Sequence, residues 1–529
     1  MSFAPRTSRR AMLATGILLF GYLLVDVVGG APRSPVVPVF PAGLGPPVWT
    51  ERVASWLGLA AMSRLALTLL VLALLAILVA AFVVLLHEAW QGRVGLSWAI
   101  EAAVAAIAVA VAGPLLLSRD VYSYAAYGRI FAIHGSNPYV RPPAAFPQDP
   151  FTPVVSSLWL RTRSLYGPAF LLPAAAIGRV WSRSPAGTVL AFRLLSGGAL
   201  AMAAWLAAVA TRFVRPGRES LAAAAVGLNP VVVLHTVGGG HNDALIAALL
   251  AGAFALGARW WRDPPRGPTS WMALGVTALL TLAVLIKVVV GPPLLLWGWS
   301  VVVGAPAGKR ARVAAAHGGV VLLIAAALFA PFVAGSRTIA PLVTLAARQG
   351  WASGPGMVAR SARGLGNAMA GRPGGVVLAT MATGLFLAAY ALLLWRLLQQ
   401  APRRSPPLSW GPALLLLCLA LPYLVPWYAA WFLPFVAVML DGGLGWVALT
   451  AAGVLALTGV PAEPASAPGL WRDMLLGVHY GAASIMLGLF LVAARLALRS
   501  TKDGALDRDQ AADGSAGAIV TSRSAKARA

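Results

Sequence analysis

Apolar runs of roughly 17–25 residues recur from near the N-terminus to about residue 497, each long enough to cross a hydrocarbon core of ~30 Å. Within a bilayer every backbone amide and carbonyl must be paired inside the protein, so a run of this length has one solution open to it, a helix. A membrane β-barrel would show short segments of alternating hydrophobicity instead. Composition agrees: 59% of the 529 residues are hydrophobic and 11% are charged, against about 25% charged in a soluble domain. The chain therefore reads as an all-α, polytopic integral membrane protein. Its single cysteine, Cys418, lies in an apolar run, which excludes a disulfide framework. The net charge of +25 would point to nucleic acid in a soluble protein. Here the basic residues sit mostly in loops beside the spans, so membrane lipids account for them and no nucleic-acid partner is implied.

The opening MSFAPRTSRR is basic and precedes an apolar stretch from Ala11 to about Gly30. With no A-x-A site after it and Asp26 near its end, it reads as an uncleaved anchor with a cytoplasmic N-terminus. A Pro/Gly-rich outer loop over 31–63 follows, then spans over 65–86 and 97–117. Further apolar segments lie near 166–182, 188–211, 219–237, 243–258, 269–286, 288–303, 313–335, 375–396, 408–425, 429–440, 444–461 and 474–497. Basic clusters at Arg259 to Arg262 with Arg266, at Lys309 to Arg312 and at Arg403 and Arg404 mark inner loops. Counting from them leaves 118–165 and 336–374 outside as the two larger loops. One conflict remains. If 166–182 and 188–211 both cross, Arg212, Arg215 and Arg218 fall outside, against the charge rule, so one of the two is expected to be re-entrant or wrongly assigned. The expectation is about 13–15 helices in one domain over 1–500, then a polar tail over 501–529 that reads as disordered.

Loop 118–165 opens with SRDVYSYAAYGRIFAIHGSNPYVRP. It holds Arg119, Arg129, Arg141, Arg161 and Arg163 against Asp120 and Asp149; loop 336–374 holds Arg337, Arg348, Arg360, Arg363 and Arg372 with no acid. Outward loops are usually poor in arginine. Either these longer loops tolerate the excess or they hold an anionic ligand, since the planar guanidinium matches phosphate oxygens bidentately. Asp120 stands at a membrane exit among arginines, which would keep its pKa low and leave it able to take a proton from a hydroxyl. Tyr122 and Tyr124 beside it suit the faces of sugar rings; the plainer reading is an interfacial ion pair within a tyrosine belt.

The second cluster is 238-GGGHNDAL-245. Its glycines permit close backbone approach, and His241, Asn242 and Asp243 supply polar groups at a helix start. A helix cap would account for one of the three. A His and an Asp without a third ligand are weak evidence for a metal. Lys287, alone among the lysines in lying inside an apolar run, either snorkels to the interface or meets a lipid phosphate. Trp427 and Tyr428, with Trp431 a turn later, read as an aromatic belt or as a wall of a lipid or sugar groove. There is no Walker loop, no G-x-G-x-x-G motif and no soluble domain large enough for a nucleotide sugar, so a transferase built this way would take its donor from the membrane.

RDVYSYAAYGRIFAIHGSNPY, NPVVVLHTVGGGHNDAL and PWYAAWFLP, in this order, resemble the actinobacterial polyprenol-phosphate-mannose-dependent α-1,6-mannosyltransferases. These are GT-C membrane glycosyltransferases of lipomannan and lipoarabinomannan assembly. The resemblance covers about 97 to 440. It implies a GT-C-like fold in the cell membrane, a polyprenyl-phosphate mannose donor, a lipid-anchored mannan acceptor and inverting transfer on the outer face. Asp120 occupies the place of the acidic residue that opens the first large outer loop, and carried over it would be the general base. Arg129, Arg141, Lys287, Arg360 and Arg363 would hold the donor phosphate. Tyr122, Tyr124, His134, Asn137, Tyr139, His241, Asn242, Asp243, Trp427 and Tyr428 would position the sugars. The Asp-x-Asp form of some relatives is missing, Arg119-Asp120-Val121 offering one acid, so no cofactor is expected and a divalent metal is not expected to be required. The alternatives are a GT-C transferase of another lipid-linked sugar, such as arabinofuranose, and a transporter or flippase of lipid-linked sugars. Transport would need polar residues along the spans and usually paired repeats, and the sequence shows few intramembrane charges and no repeat.

Overall fold

The computed structural model describes residues 7–41, 43–262, 267–338, 350, 352–403, 406–460, 462, 469, 473 and 476–499. The tail 501–529, Arg266, Arg348 and Arg404, with the side chains of Arg337 and Arg403, lie outside the described residues. Among those described, all regular structure is helical. The main helices are α1 (Arg9–Gly29), α2 (Arg64–Trp90), α3 (Leu96–Ala112), α4 (Asp120–Ala132), α5 (Pro168–Val180), α6 (Pro185–Val214), α7 (Glu219–Gly227) and α8 (Asp243–Arg262). They continue as α9 (Trp271–Val284), α10 (Pro292–Val303), α11 (Arg310–Phe329), α12 (Gly354–Gln400), α13 (Trp410–Ala420), α14 (Leu444–Ala456) and α15 (Leu476–Arg499).

Among the described residues, seven helical stretches are long and apolar enough to cross a bilayer: α1, α2, α6, α8, Ala307–Phe332 around α11, α12 and α15. The pair of α7 and a π-helical turn at Val231–Val237, bent by 45° at Asn229-Pro230, makes an eighth if taken as one broken span. The other apolar segments, among the described residues, form seven helices of 10–17 residues. Proline and glycine divide them, because a proline inside a helix removes a hydrogen bond and clashes with the preceding turn. Length bears on the conflict over Arg212, Arg215 and Arg218. α5 has 13 residues and reaches about 20 Å at 1.5 Å per residue, whereas α6 has 30 and alone of the two is long enough to count as a candidate span.

Both large loops carry more structure than the hydropathy implies. Segment 118–165 begins with α4 and continues through short helical turns. Segment 336–374 contains the first part of α12, which breaks at Ala370 and at Gly371 (φ 65°, ψ −168°), a conformation suited to glycine. The two halves then lie against each other, since a Cβ on Gly366 would stand 2.4 Å from the Gly374 carbonyl oxygen. Arg360 and Arg363 are therefore helical residues.

Small residues let the helices meet closely, as expected where lipid supplies no hydrophobic drive between them. Ala203, Ala204, Ala207 and Ala208 of α6 and Ala222 to Ala225 of α7 are all buried. The same device positions α4. At Gly128 a Cβ would lie 2.2 Å from the Ala174 carbonyl oxygen of α5, and at Gly167, before α5, one would lie 2.0 Å from that of Leu285. Gly167 N–H donates to Ile286 O at 2.9 Å. One run of backbone contacts thus links Asp120, α4, α5 and the turn bearing Lys287. On the other side, Leu116 N–H donates to Gly238 O at 3.0 Å and Leu117 N–H to Val36 O at 2.7 Å.

Gly128→Val is expected to lose about 1–3 kcal/mol to overpacking, read as a lower thermal midpoint in detergent. Gly16→Ala, where a Cβ meets nothing within 4 Å, should leave the midpoint unchanged or slightly raised; equal midpoints for the two variants would refute the α4–α5 contact.

Candidate active site

Asp120 is the first residue of α4, and its backbone N–H donates to Ser118 Oγ at 3.1 Å. The carboxylate is 13% exposed. Trp159 Nε1 donates to Oδ1 at 3.1 Å, and His241 Nδ1 stands 3.9 Å from Oδ2. Burial pushes the carboxyl up to about 6, against the opposing pull of Lys287 and the Trp159 hydrogen bond. This corrects the sequence expectation of a carboxyl held low by arginines. Loss of water outweighs nearby charge, and the cation acting on Asp120 is Lys287. A base with a pKa near 6 is mostly ionised at neutral pH yet retains useful proton affinity.

The second element is the turn after Val231–Val237. Gly240 has φ 67°, and His241 N–H returns to Thr236 O at 2.8 Å. The His241 ring stacks on Trp427, with centroids 3.7 Å apart and an interplanar angle of 19°. Its Nδ1 is 3.0 Å from the Tyr124 hydroxyl. Burial, aided by the Lys287 charge, holds the imidazole well below its ordinary pKa, so it is neutral and its approach to Asp120 is not an ion pair.

Lys287, after α9, donates to both oxygens of Asp243, at 2.8 and 2.7 Å. Trp431 Nε1 donates to Asp243 Oδ1 at 2.7 Å. The ammonium lies 5.2 Å from the ring centroid of Tyr428 and 5.7 Å from that of Tyr166, within cation–π range. Between these groups is a cleft lined by Asp120, Trp159, Leu165, Tyr166, Lys287, Val288, Val289, Tyr423, Trp427 and Tyr428. It combines one carboxylate, one ammonium, aromatic walls and an apolar edge.

Of the residues expected from sequence, Asp120, Lys287, Trp427 and Tyr428 line this cleft, Asp243 is bonded to Lys287, His241 stacks on Trp427, and Tyr124 is bonded to His241. Asn242 is 3% exposed, and its amide makes no hydrogen bond among the described residues. Tyr122 is buried 6.2 Å from the Phe151 ring. Others fasten the 118–165 segment instead. Arg129 Nε donates to Asp149 at 2.8 Å and its NH1 to Ser182 O. His134 meets the same carboxylate at 2.9 Å and stacks on Phe146. Asn137 donates to Phe332 O and Tyr139 to Tyr166 O. Arg141 and Arg363 are exposed, and Arg360 donates to Gly350 O. None of these arginines lines the cleft. Trp159, Leu165, Tyr166 and Tyr423 were not singled out from sequence, because no motif or spacing ties them to Asp120. Among the described residues no three His, Cys, Asp or Glu side chains converge as a metal site.

Residues 34–304, more than half of the chain, match the family described as Alpha-(1->6)-mannopyranosyltransferase, N-terminal domain. The match takes in Asp120, His241, Asp243 and Lys287. Alpha-(1->6)-mannopyranosyltransferase A of Mycobacterium tuberculosis is 28% identical over 362 residues, 65% of this chain and 67% of that protein. Alpha-(1->6)-mannopyranosyltransferase B of Corynebacterium glutamicum is 33% identical over 146 residues, 27% of this chain and 24% of that protein. The A protein of the same organism is 33% identical over 138 residues, 26% of this chain and 27% of its own length. No solved structure gives a significant match. The chain is therefore a multi-pass membrane glycosyltransferase that belongs to the α-(1→6)-mannopyranosyltransferase family.

Proposed function

We propose that the enzyme moves mannose from polyprenyl-phosphate mannose to the α-1,6-mannan of a phosphatidylinositol mannoside or lipomannan precursor, with inversion, on the outer face of the cell membrane. The observation that carries this reading is the cleft itself, where a carboxylate of pKa about 6 and an ammonium stand among aromatic rings beside an apolar edge. The acceptor hydroxyl oxygen attacks the anomeric carbon while Asp120 takes its proton. The bond from that carbon to the phosphate oxygen breaks, and polyprenyl phosphate leaves with the electron pair.

Lys287 supports the leaving phosphate. An ammonium has three donors; two go to Asp243, and the third suits a phosphate oxygen as negative charge develops there. The phosphate role first spread over several arginines thereby narrows to Lys287. Tyr166, Trp427 and Tyr428 offer ring faces to the sugars, and Val288 and Val289 meet the lipid part of the donor. With one carboxylate in the cleft we propose that no divalent metal is required. Charge supports the orientation: α8 starts at the site with Asp243 and ends with Arg259 and Arg262, and the positive-inside rule then favours an outer-face site.

Two outcomes test this reading. In detergent with a chelator present, wild type should transfer mannose from polyprenyl-phosphate mannose to an α-1,6-linked dimannoside, and Asp120→Asn should lose about 10²–10⁴-fold in kcat with donor binding retained. Equal rates would remove Asp120 as the base and turn attention to Asp243. No transfer by folded wild type, even with metal restored, would favour another sugar or transport. A base must be deprotonated to act, so kcat/KM should rise with pH through a midpoint of about 6 and level off above it. A rate that falls as pH rises through 6 would contradict the assignment.

A further inference from the structure

Two ionisable side chains lie deep among the helices, away from the cleft. Asp26, near the end of α1, has no exposed surface, and Arg193, in α6, is 4% exposed. Ionisable groups within membrane helices are costly and call for a reason. The two interact electrostatically, yet neither oxygen of Asp26 has a hydrogen-bond partner among the described residues. The guanidinium turns instead to the last carbonyls of α3, donating from NH1 to Gly113 O at 2.7 Å and from NH2 to Ala110 O. Trp49 Nε1 donates to Ala112 O between them, at 3.2 Å. The final carbonyls of a helix lack intrahelical donors and carry partial negative charge, and a planar fork can serve two of them at once. Asp26 packs on the same backbone, since a Cβ on Gly113 would stand 2.1 Å from its Cγ.

Gly113 leads directly to the segment that presents Asp120. Leu116 and Leu117 in that segment are held by the carbonyls of Gly238 and Val36. Leu117 has φ 61°, an uncommon conformation for a bulky residue that persists where surroundings impose it. Arg193 also reaches the other half of the site: a Cβ on Gly240, next to His241, would lie 3.3 Å from Arg193 Cγ.

We infer that Arg193, packed beside Asp26, is a positioning residue that fixes the end of α3 and the Gly240 turn together, and so sets Asp120 against His241 and the cleft. The inference rests on the reading of Asp120 as the base. Arg193 is not part of the cleft lining and acts through the backbone it grips.

Arg193→Lys tests this, because it keeps a cation opposite Asp26 but cannot fork to both carbonyls. The expected result is a folded enzyme whose kcat falls about 10–100-fold, the scale of a small misplacement of reacting groups, with KM for both substrates within about twofold. Amide hydrogen exchange over 114–120 should quicken about tenfold or more while that of α9 and α12 stays as in wild type. Unchanged exchange over 114–120, or an unchanged kcat beside an active wild type, overturns the inference. Should Arg193→Lys not fold, Gly113→Ala, which presses on the same contact from the Asp26 side, is held to the same outcomes. A wild type that transfers no mannose would sink the proposed function, and the exchange measurement would then decide the positioning role alone.

Discussion

Lys287 follows the end of α9 and Asp243 begins α8, and their ion pair joins two elements that the chain leaves 44 residues apart. Both groups are largely out of water, at 11% and 0% exposure. Removing one partner of such a pair typically costs about 3–5 kcal/mol, because the other charge is left buried. The pair therefore fixes where the GGGHND turn stands relative to the turn after α9, and Trp431 ties in a third element through the same carboxylate. Among the described residues Asp120 has no comparable ion-pair partner, only the hydrogen bond from Trp159. With Lys287 already committed to Asp243, Asp120 feels the ammonium at a distance, and burial sets its proton affinity. On the proposed mechanism, two acids in one site thus acquire different tasks, one structural and electrostatic, the other left with a proton affinity suited to a general base.

The membrane class and the three motif clusters were legible in the sequence because polar residues stand out against an apolar background. SRDVYSY, GGGHND and PWY do converge on one cleft. Partnerships were not legible. Nothing in the spacing of Trp159 and Asp120, or of Lys287 and Asp243, announces a contact, since helices that pack side by side draw together residues of unrelated position. The same blindness misdirected the reading of Arg129. Counted among free cations in a loop, it is in fact taken up by Asp149 and Ser182 within a folded segment.

The pKa of Asp120 shows why neighbours in sequence are poor guides to charge. Arg119 is adjacent along the chain, but the groups that shift the carboxyl are the surrounding protein, Lys287, Trp159 and Asp243. In a site half inside a membrane protein, desolvation is decided by what packs overhead, and that is information about tertiary structure. The short helices teach a related lesson. Hydropathy located the apolar segments but could not say which were long enough to cross, and α5 is distinguished from α6 only by where the chain actually turns.

Lys287 and Val288 are consecutive, yet the first is 11% exposed and ion-paired while the second is 55% exposed at the edge of the cleft. The change from charge to hydrocarbon is complete within a single residue step. On the proposed donor, such an edge would read the joint where a charged head meets a greasy chain, and among the described cleft residues none would measure how far that chain continues.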